Sequence, residues 1–232
     1  LYTFDNGVAP YISYSTSFEP VNETPPPGLA TFDPSEGKQF ELGLKWASPD
    51  DSIFVQAAVF DITQTGVLQY NRTLRGFEQV GKIESRGFEL ETRAEINDRV
   101  SLIGAYSYID AKVTEANNTH QVGKSPARLP ANQASIWARY GAPSGFDAAL
   151  GLRYIGSSWG DNTNSFKVPA ATLVDLAFGY DFGARNPRYE GLRAQLNVQN
   201  LTDKFFTASC ASQFACFVGS GRVITASLAF EF

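Results

Sequence analysis

Methionine is absent from all 232 residues, position 1 included. The chain therefore reads as a segment of a longer precursor. Histidine is nearly absent: His120 stands alone, beside only two cysteines, Cys210 and Cys216. So few soft donors cannot build a transition-metal site, and a lone imidazole has no obvious catalytic partner. No apolar run reaches the roughly 18 residues that a membrane-crossing helix needs. No basic-then-apolar leader opens the chain. Positive charge is not in excess either: 19 Lys and Arg face 24 Asp and Glu, a formal net charge of −5. That balance argues against a nucleic-acid partner. Helical periodicity is also nearly missing.

What remains is alternation and aromatic weight, with 18 Phe, 10 Tyr and 3 Trp. Side chains of a strand point to opposite faces with a period of two. The closing stretch "GRVITASLAFEF" obeys this to its end. Ile224, Ala226, Leu228, Phe230 and Phe232 share an apolar face, and Val223, Thr225, Ser227, Ala229 and Glu231 share a small or polar one. "LRAQLNVQ" repeats the pattern, as does "GFELETRAEI", where Phe88, Leu90, Ala94 and Ile96 alternate with Glu89, Glu91, Arg93 and Glu95. Further alternating segments are "FELGLKW" and "LVDLAFGYDF", with less clearly faced strands near 8–18, 53–63, 100–112, 133–141 and 146–156. The total is about ten strands.

The connections alternate in length. "SPDD", "NDR" and "APSG" are tight, and 183–191 is intermediate. Between them lie long segments at 19–36, 64–82, 113–132, 157–169 and 202–221. A soluble sandwich has no reason to put its long loops at one end. Antiparallel strands with short turns at one end and long loops at the other describe an outer-membrane barrel, with periplasmic turns and extracellular loops. Lipid cannot satisfy backbone polar groups, so such a sheet closes on itself, apolar outside and polar inside. The stripe Glu89, Glu91, Arg93, Glu95 suits a wet lumen and not a packed core. The fold expected is all-β: a transmembrane antiparallel β-barrel segment of about ten strands.

The ordered stretches "YISYSTSFEP", "FDPSEGKQFELGLKW", "AAVFDITQTGVLQ", "QVGKIESRGFELE", "AYSYIDAKV", "GKSPARLPANQASIWARY", "GLRYIGSSWGDNTNSFKVPAATLVDLAFGYDF", "LNVQNLTDKFF" and "ASCASQFACFVGSGRVITASLAFEF" cover nearly the whole chain. Together they resemble the C-terminal part of TonB-dependent siderophore receptors, the ferric-hydroxamate (ferrichrome) type above all. The resemblance implies that residues 1–232 belong to a barrel of about 22 strands whose lumen is plugged. The plug domain and first strands would lie outside this segment. It also implies uptake of a ferric siderophore, driven by the TonB complex through that plug. The last strand, with Phe230 and Phe232, would be the signal read by the barrel-assembly machinery. Lipid of the outer membrane is the remaining partner. Receptors for a catecholate siderophore, cobalamin or another nutrient are the alternative, and an outer-membrane enzyme or passive porin stands behind them.

The residues offer no enzyme. "GSSWG" at 156–160 matches G-x-S-x-G, but that pattern needs a strand–elbow–helix setting and a histidine partner. Here it opens a long loop, and His120 belongs to another. No cofactor or resident metal is expected, because the chelator carries the iron. Recognition would fall to aromatic and polar groups of the loops and upper lumen. Phe214 and Phe217 lie in or beside the cysteine loop, and in similar receptors that loop overhangs the pocket. Trp159 and Phe166 in one loop, and Tyr70 and Phe77 in another, are further candidates. Cys210 and Cys216 read as a disulfide in an oxidising compartment, with two free thiols as the alternative. Glu89, Glu91, Arg93, Arg153 and Asp175 read as lumen charges that pair within the wall or with the plug. The sequons at Asn22, Asn71, Asn117 and Asn200 would matter only in a eukaryotic secreted protein.

Overall fold

Alternation at period two can bury one face only if strands pair in register, and the computed structural model shows them doing so. It describes residues 1–26, 28, 31–71 and 75–231, with the side chains of 69–71, 80 and 211 left aside. The strands are β1 (Val8–Glu19), β2 (Ser35–Ala47), β3 (Ile53–Asn71), β4 (Gly76–Asn97), β5 (Val100–Glu115), β6 (Asn132–Gly141), β7 (Phe146–Ile155), β8 (Ser158–Trp159), β9 (Lys167–Val168), β10 (Ala171–Asp181), β11 (Leu192–Gln199), β12 (Thr207–Ser212), β13 (Ala215–Val218) and β14 (Val223–Phe230). Ten of them form one sheet in the order β1-β2-β3-β4-β5-β6-β7-β10-β11-β14. Its neighbours are all antiparallel. The remaining strands make two small hairpins, β8-β9 and β12-β13, inside long loops.

In β2 the burial is inverted relative to a soluble protein. Phe40, Leu42 and Leu44 are 60%, 59% and 45% exposed. Gln39 and Glu41, on the opposite face, are half-buried. In β2 the polar face is thus the more covered one, whereas in β4 the charged residues Glu89, Glu91, Arg93 and Glu95 are exposed and Leu90 and Ala94 half-buried. Register carries the same facing from strand to strand: Leu42 opposes Val59, Val59 opposes Phe88, and Phe88 opposes Tyr108. The outer face therefore has an aliphatic belt that includes Ile12, Leu42, Val59, Ile136, Leu150 and Leu152. Trp46, Tyr140, Phe146, Tyr180 and Phe230 flank it toward the short turns. Tyr14, Phe40, Phe88, Tyr106 and Tyr154 flank it toward the long loops. An apolar band between two aromatic girdles is the outer surface of a membrane barrel. The facing read for β4, β11 and β14 agrees with this arrangement.

The tight turns fall where expected. Ser48 caps the β2–β3 turn by accepting from the Ile53 N–H at 2.9 Å. Asn97 closes β4–β5 by accepting from Arg99 N–H at 2.9 Å and Val100 N–H at 3.0 Å. The intermediate connection holds a 3-10 turn, Pro187–Tyr189, capped by Asn186. One expected loop is corrected. Residues 64–82 are mostly strand: β3 and β4 stay paired until Asn71 opposes Gly76. Polar composition there reads as loop, yet a hairpin that has left the lipid needs backbone pairing and no apolar face. β1 and β14 end the sheet without pairing to each other. The barrel is not closed within this chain.

Candidate functional site

The long loops gather beyond the upper girdle, and side chains tie three of them together. Asn164, at φ +58°, joins the 156–170 loop to the 116–131 loop. Its Oδ1 accepts from Ser125 N–H at 3.0 Å, and its Nδ2 donates to Ser125 O at 2.8 Å. Asn162 accepts from Ala127 N–H at 2.9 Å. Arg128 N–H donates to Trp159 O at 2.8 Å. Arg128 then reaches the 200–222 loop, where its Nε donates to the Cys210 carbonyl at 3.0 Å. β12 also lies against β9. Asp161 holds the β8–β9 tip. Burial alone would push its carboxyl up, but hydrogen bonds from Ser165 and Thr163 outweigh this and keep it below the usual carboxylate range.

Among the described residues, the last loop carries the most exposed ring. Cys210 and Cys216 are bonded, and they face each other across β12-β13. Phe214 sits at the hairpin tip, 90% exposed, and Phe217 on β13 is 61% exposed. Closing so short a loop contributes roughly 2 kcal/mol in the chain-entropy view, and the hairpin is stiffened accordingly. Trp159 and Phe166 lie on the neighbouring small hairpin, both half-buried. The Lys167 ammonium stands 4.9 Å over the Trp159 ring. The Phe166 ring covers Gly160 and leaves no room for a Cβ there. These two rings are already engaged within their own loop. Phe77 lies at the far end of the β3–β4 hairpin, its backbone opposite Tyr70, whose side chain is outside the described residues. Four strands separate β4 from β11 in the sheet. The structure thus brings the Phe214 and Trp159 hairpins together and leaves the Phe77 hairpin elsewhere along the wall.

Below the loops, the inner wall is polar. Glu89, Glu91, Ser107, Gln133, Ser135 and Arg153 line a shallow hollow of about 440 Å³. Tyr11 donates its hydroxyl to Glu41 across β1–β2. Arg153 and Asp175 form an ion pair between β7 and β10, as the lumen charges suggest. Asn200 was visible in the sequence only as part of a sequon, yet it is 2% exposed and central to the loop base. The usable signal was its place, directly after an alternating strand and three residues before Asp203, where Asn commonly organises a turn. Arg128 and Asn164 carried no signal, because their partners lie in other loops. Ser158 is a buried member of β8 paired to Val168, and His120 is exposed in the 3-10 turn Thr119–Gln121. Among the described residues no three His, Cys, Asp or Glu side chains converge to hold a metal.

A polar lumen wall with an apolar, girdled exterior and a roof of tied loops defines the class: part of the wall of an outer-membrane β-barrel. Residues 1–201 match the family described as TonB dependent receptor-like, beta-barrel, and the chain belongs to it. It is 40% identical over 236 residues to the ferrichrome outer membrane transporter/phage receptor of Escherichia coli (strain K12), across 100% of this chain and 31% of that protein. It is 39% identical to the ferrioxamine B receptor of Salmonella typhimurium (strain LT2), with 100% of this chain and 33% of that receptor covered. The chain thus spans about a third of the length of these relatives. Among solved structures, the siderophore receptor PiuA from Acinetobacter baumannii superposes with a TM-score of 0.82 at 24% identity, covering 99% of this chain and 34% of that one. The ferric yersiniabactin uptake receptor FyuA from Yersinia pestis gives 0.80 at 16% identity, covering 100% and 36%. These two likenesses speak to the fold. The relatives are transporters and receptors, not enzymes.

Proposed function

We propose that this chain is the C-terminal part of the barrel of an outer-membrane receptor that imports a ferric siderophore of the hydroxamate type. A plug domain and the remaining strands would complete the lumen, and TonB would act on that plug. The observation that carries this reading is the identity along the whole chain to a ferrichrome transporter and a ferrioxamine B receptor. It is supported by an exposed aromatic ring on a cross-linked hairpin at the rim of a polar lumen. In this reading the iron is cargo, carried by its chelator. Phe214 and Phe217 cover the apolar parts of the complex. Trp159, Phe166, Phe77 and Tyr70 are secondary contacts. The outer face meets lipid, and Phe230 with Phe232 belongs to the signal for barrel assembly. Phe230 faces outward beside the short turns, which suits that role; Phe232 is outside the described residues.

The test uses the full-length receptor inserted in an outer membrane, titrated with ferrichrome, ferrioxamine and a ferric catecholate while tryptophan fluorescence is followed. Saturable quenching by a ferric hydroxamate, and not by its iron-free form, is expected. Saturation by the catecholate alone would move the substrate to another class. Silence toward every siderophore in a correctly inserted barrel would overturn the reading.

A further inference from the structure

The 200–222 loop leaves the wall at Asn200 and rejoins it before β14. A loop this long holds its hairpin in one place only if its base is fixed. Asn200 supplies that base. Its φ is +50°, a region that Asn enters more readily than most residues because its short side chain bonds locally. Its backbone N–H donates to Asp175 Oδ1 at 2.8 Å. Its Oδ1 accepts from Lys204 N–H at 2.8 Å, and its Nδ2 donates to Lys204 O at 2.9 Å and to Ser220 O at 3.2 Å. One side-chain amide therefore joins the outgoing limb to the returning limb. Asp203 adds a second clasp by accepting from Arg222 N–H at 2.8 Å.

The other end of the arrangement is in the lumen. Asp175 is 3% exposed. It accepts from Arg153 Nε and, at 3.0 Å, from Arg153 Nη2, while also holding the Asn200 N–H. Arg153 lines the lumen hollow, with its side chain 39% exposed. Lumen wall, Asn200 and both limbs of the loop are thus one hydrogen-bonded chain. No other side chain of this size fits: Leu would strand the backbone groups at 204 and 220, and Asp would set a carboxylate against two carbonyls.

We propose that Asn200 is a positioning residue for ligand capture, fixing the Cys210–Cys216 hairpin to the lumen wall through Asp175 and Arg153. It acts through the hairpin and touches no ligand itself. The ligand part rests on the siderophore-receptor reading; the tether does not.

The experiment compares the full-length wild-type receptor with Asn200→Gly, which keeps the positive φ and removes only the side chain. Hydrogen exchange across 204–218 is expected to quicken at least about tenfold, because three side-chain hydrogen bonds are lost, with β10 and β11 unchanged. Ferrichrome, or whichever ferric siderophore the wild type binds, is expected to dissociate about tenfold faster with the number of sites unchanged. Unchanged exchange in the hairpin would overturn the proposal. So would equal loss of protection in β10 and β11, which would make the residue a general stabiliser, and so would an unchanged dissociation rate with a loosened hairpin. If Asn200→Gly does not insert, the wild type decides. The Lys204 amide, held by Asn200 Oδ1, is expected to exchange as slowly as the Asn200 amide, and exchange at a free-loop rate would overturn the tether. A wild type that binds no siderophore but shows the exchange pattern would remove the receptor reading and leave the tether standing.

Discussion

Leu196 and Asn197 are chain neighbours on opposite faces of β11. Leu196 opposes Phe178 and Ala226 on the outer face, and Asn197 opposes Ala177 and Thr225 on the inner one. A charge placed midway along the lipid face costs on the order of 2–4 kcal/mol, while a lumen charge is hydrated. Leu196→Arg is therefore expected to lower the urea midpoint of the full-length receptor in lipid far more than Asn197→Arg. Equal shifts would reverse the assigned facing. At the same scale, Cys210 and Cys216 are bonded. Thiol titration of unreduced protein is expected to find no reactive thiol, and two reactive thiols would contradict the bond. Reduction is expected to loosen the 207–218 hairpin and leave the wall intact, because the cross-link closes only a local loop. Facing was legible residue by residue in β4, β11 and β14, since each alternates an apolar face with a charged, polar or small one. Asn200 was not legible, because its partners at Asp175 and Ser220 are 25 and 20 residues away.

At the scale of the element, the tight turns and strands follow from local chemistry, and the loops do not. The Asp161 tip shows how one such loop responds to pH. Its carboxyl is held low, so the folded tip prefers the ionised form. That stabilisation is complete above the unfolded carboxylate value and is lost as pH falls through the lower folded one. Protection of the Ser165 amide, which bonds Asp161 Oδ1 at 2.8 Å, is expected to be flat near neutrality and to fall in acid. Asp161→Asn is expected to show no such fall. A wild-type profile with no acid limb would contradict the assignment. The β3–β4 hairpin teaches the complementary lesson. Hydropathy stops marking strand once the chain leaves the lipid, yet pairing continues from Ile53–Ala94 to Asn71–Gly76.

At the scale of the whole molecule, β1 and β14 are the edge strands of the sheet and, among the described residues, do not pair with each other. Unpaired backbone polar groups are untenable in lipid. This chain, refolded by itself into vesicles, is expected to self-associate through those edges and not to give a closed monomer. The check is unheated gel mobility together with light scattering in detergent. A compact, heat-modifiable monomer would show that ten strands close on their own. The outward belt and the inward charges are those of a barrel wall that is not closed within this chain.

The number of wall strands, the facing of the clearly alternating ones, and which connections are short were determined by the sequence by itself. Each depends on residues within a few positions of one another, through the period-two geometry of the extended chain and the chemistry of tight turns. The family resemblance was likewise readable along the line of the chain. Only the tertiary structure decided which loops touch, that Arg128 meets Cys210 across 82 positions, and that Arg153, Asp175 and Asn200 form one chain of hydrogen bonds from the lumen to the rim. Those contacts join distant positions that the sheet's register brings together, and no local pattern encodes register across a whole wall.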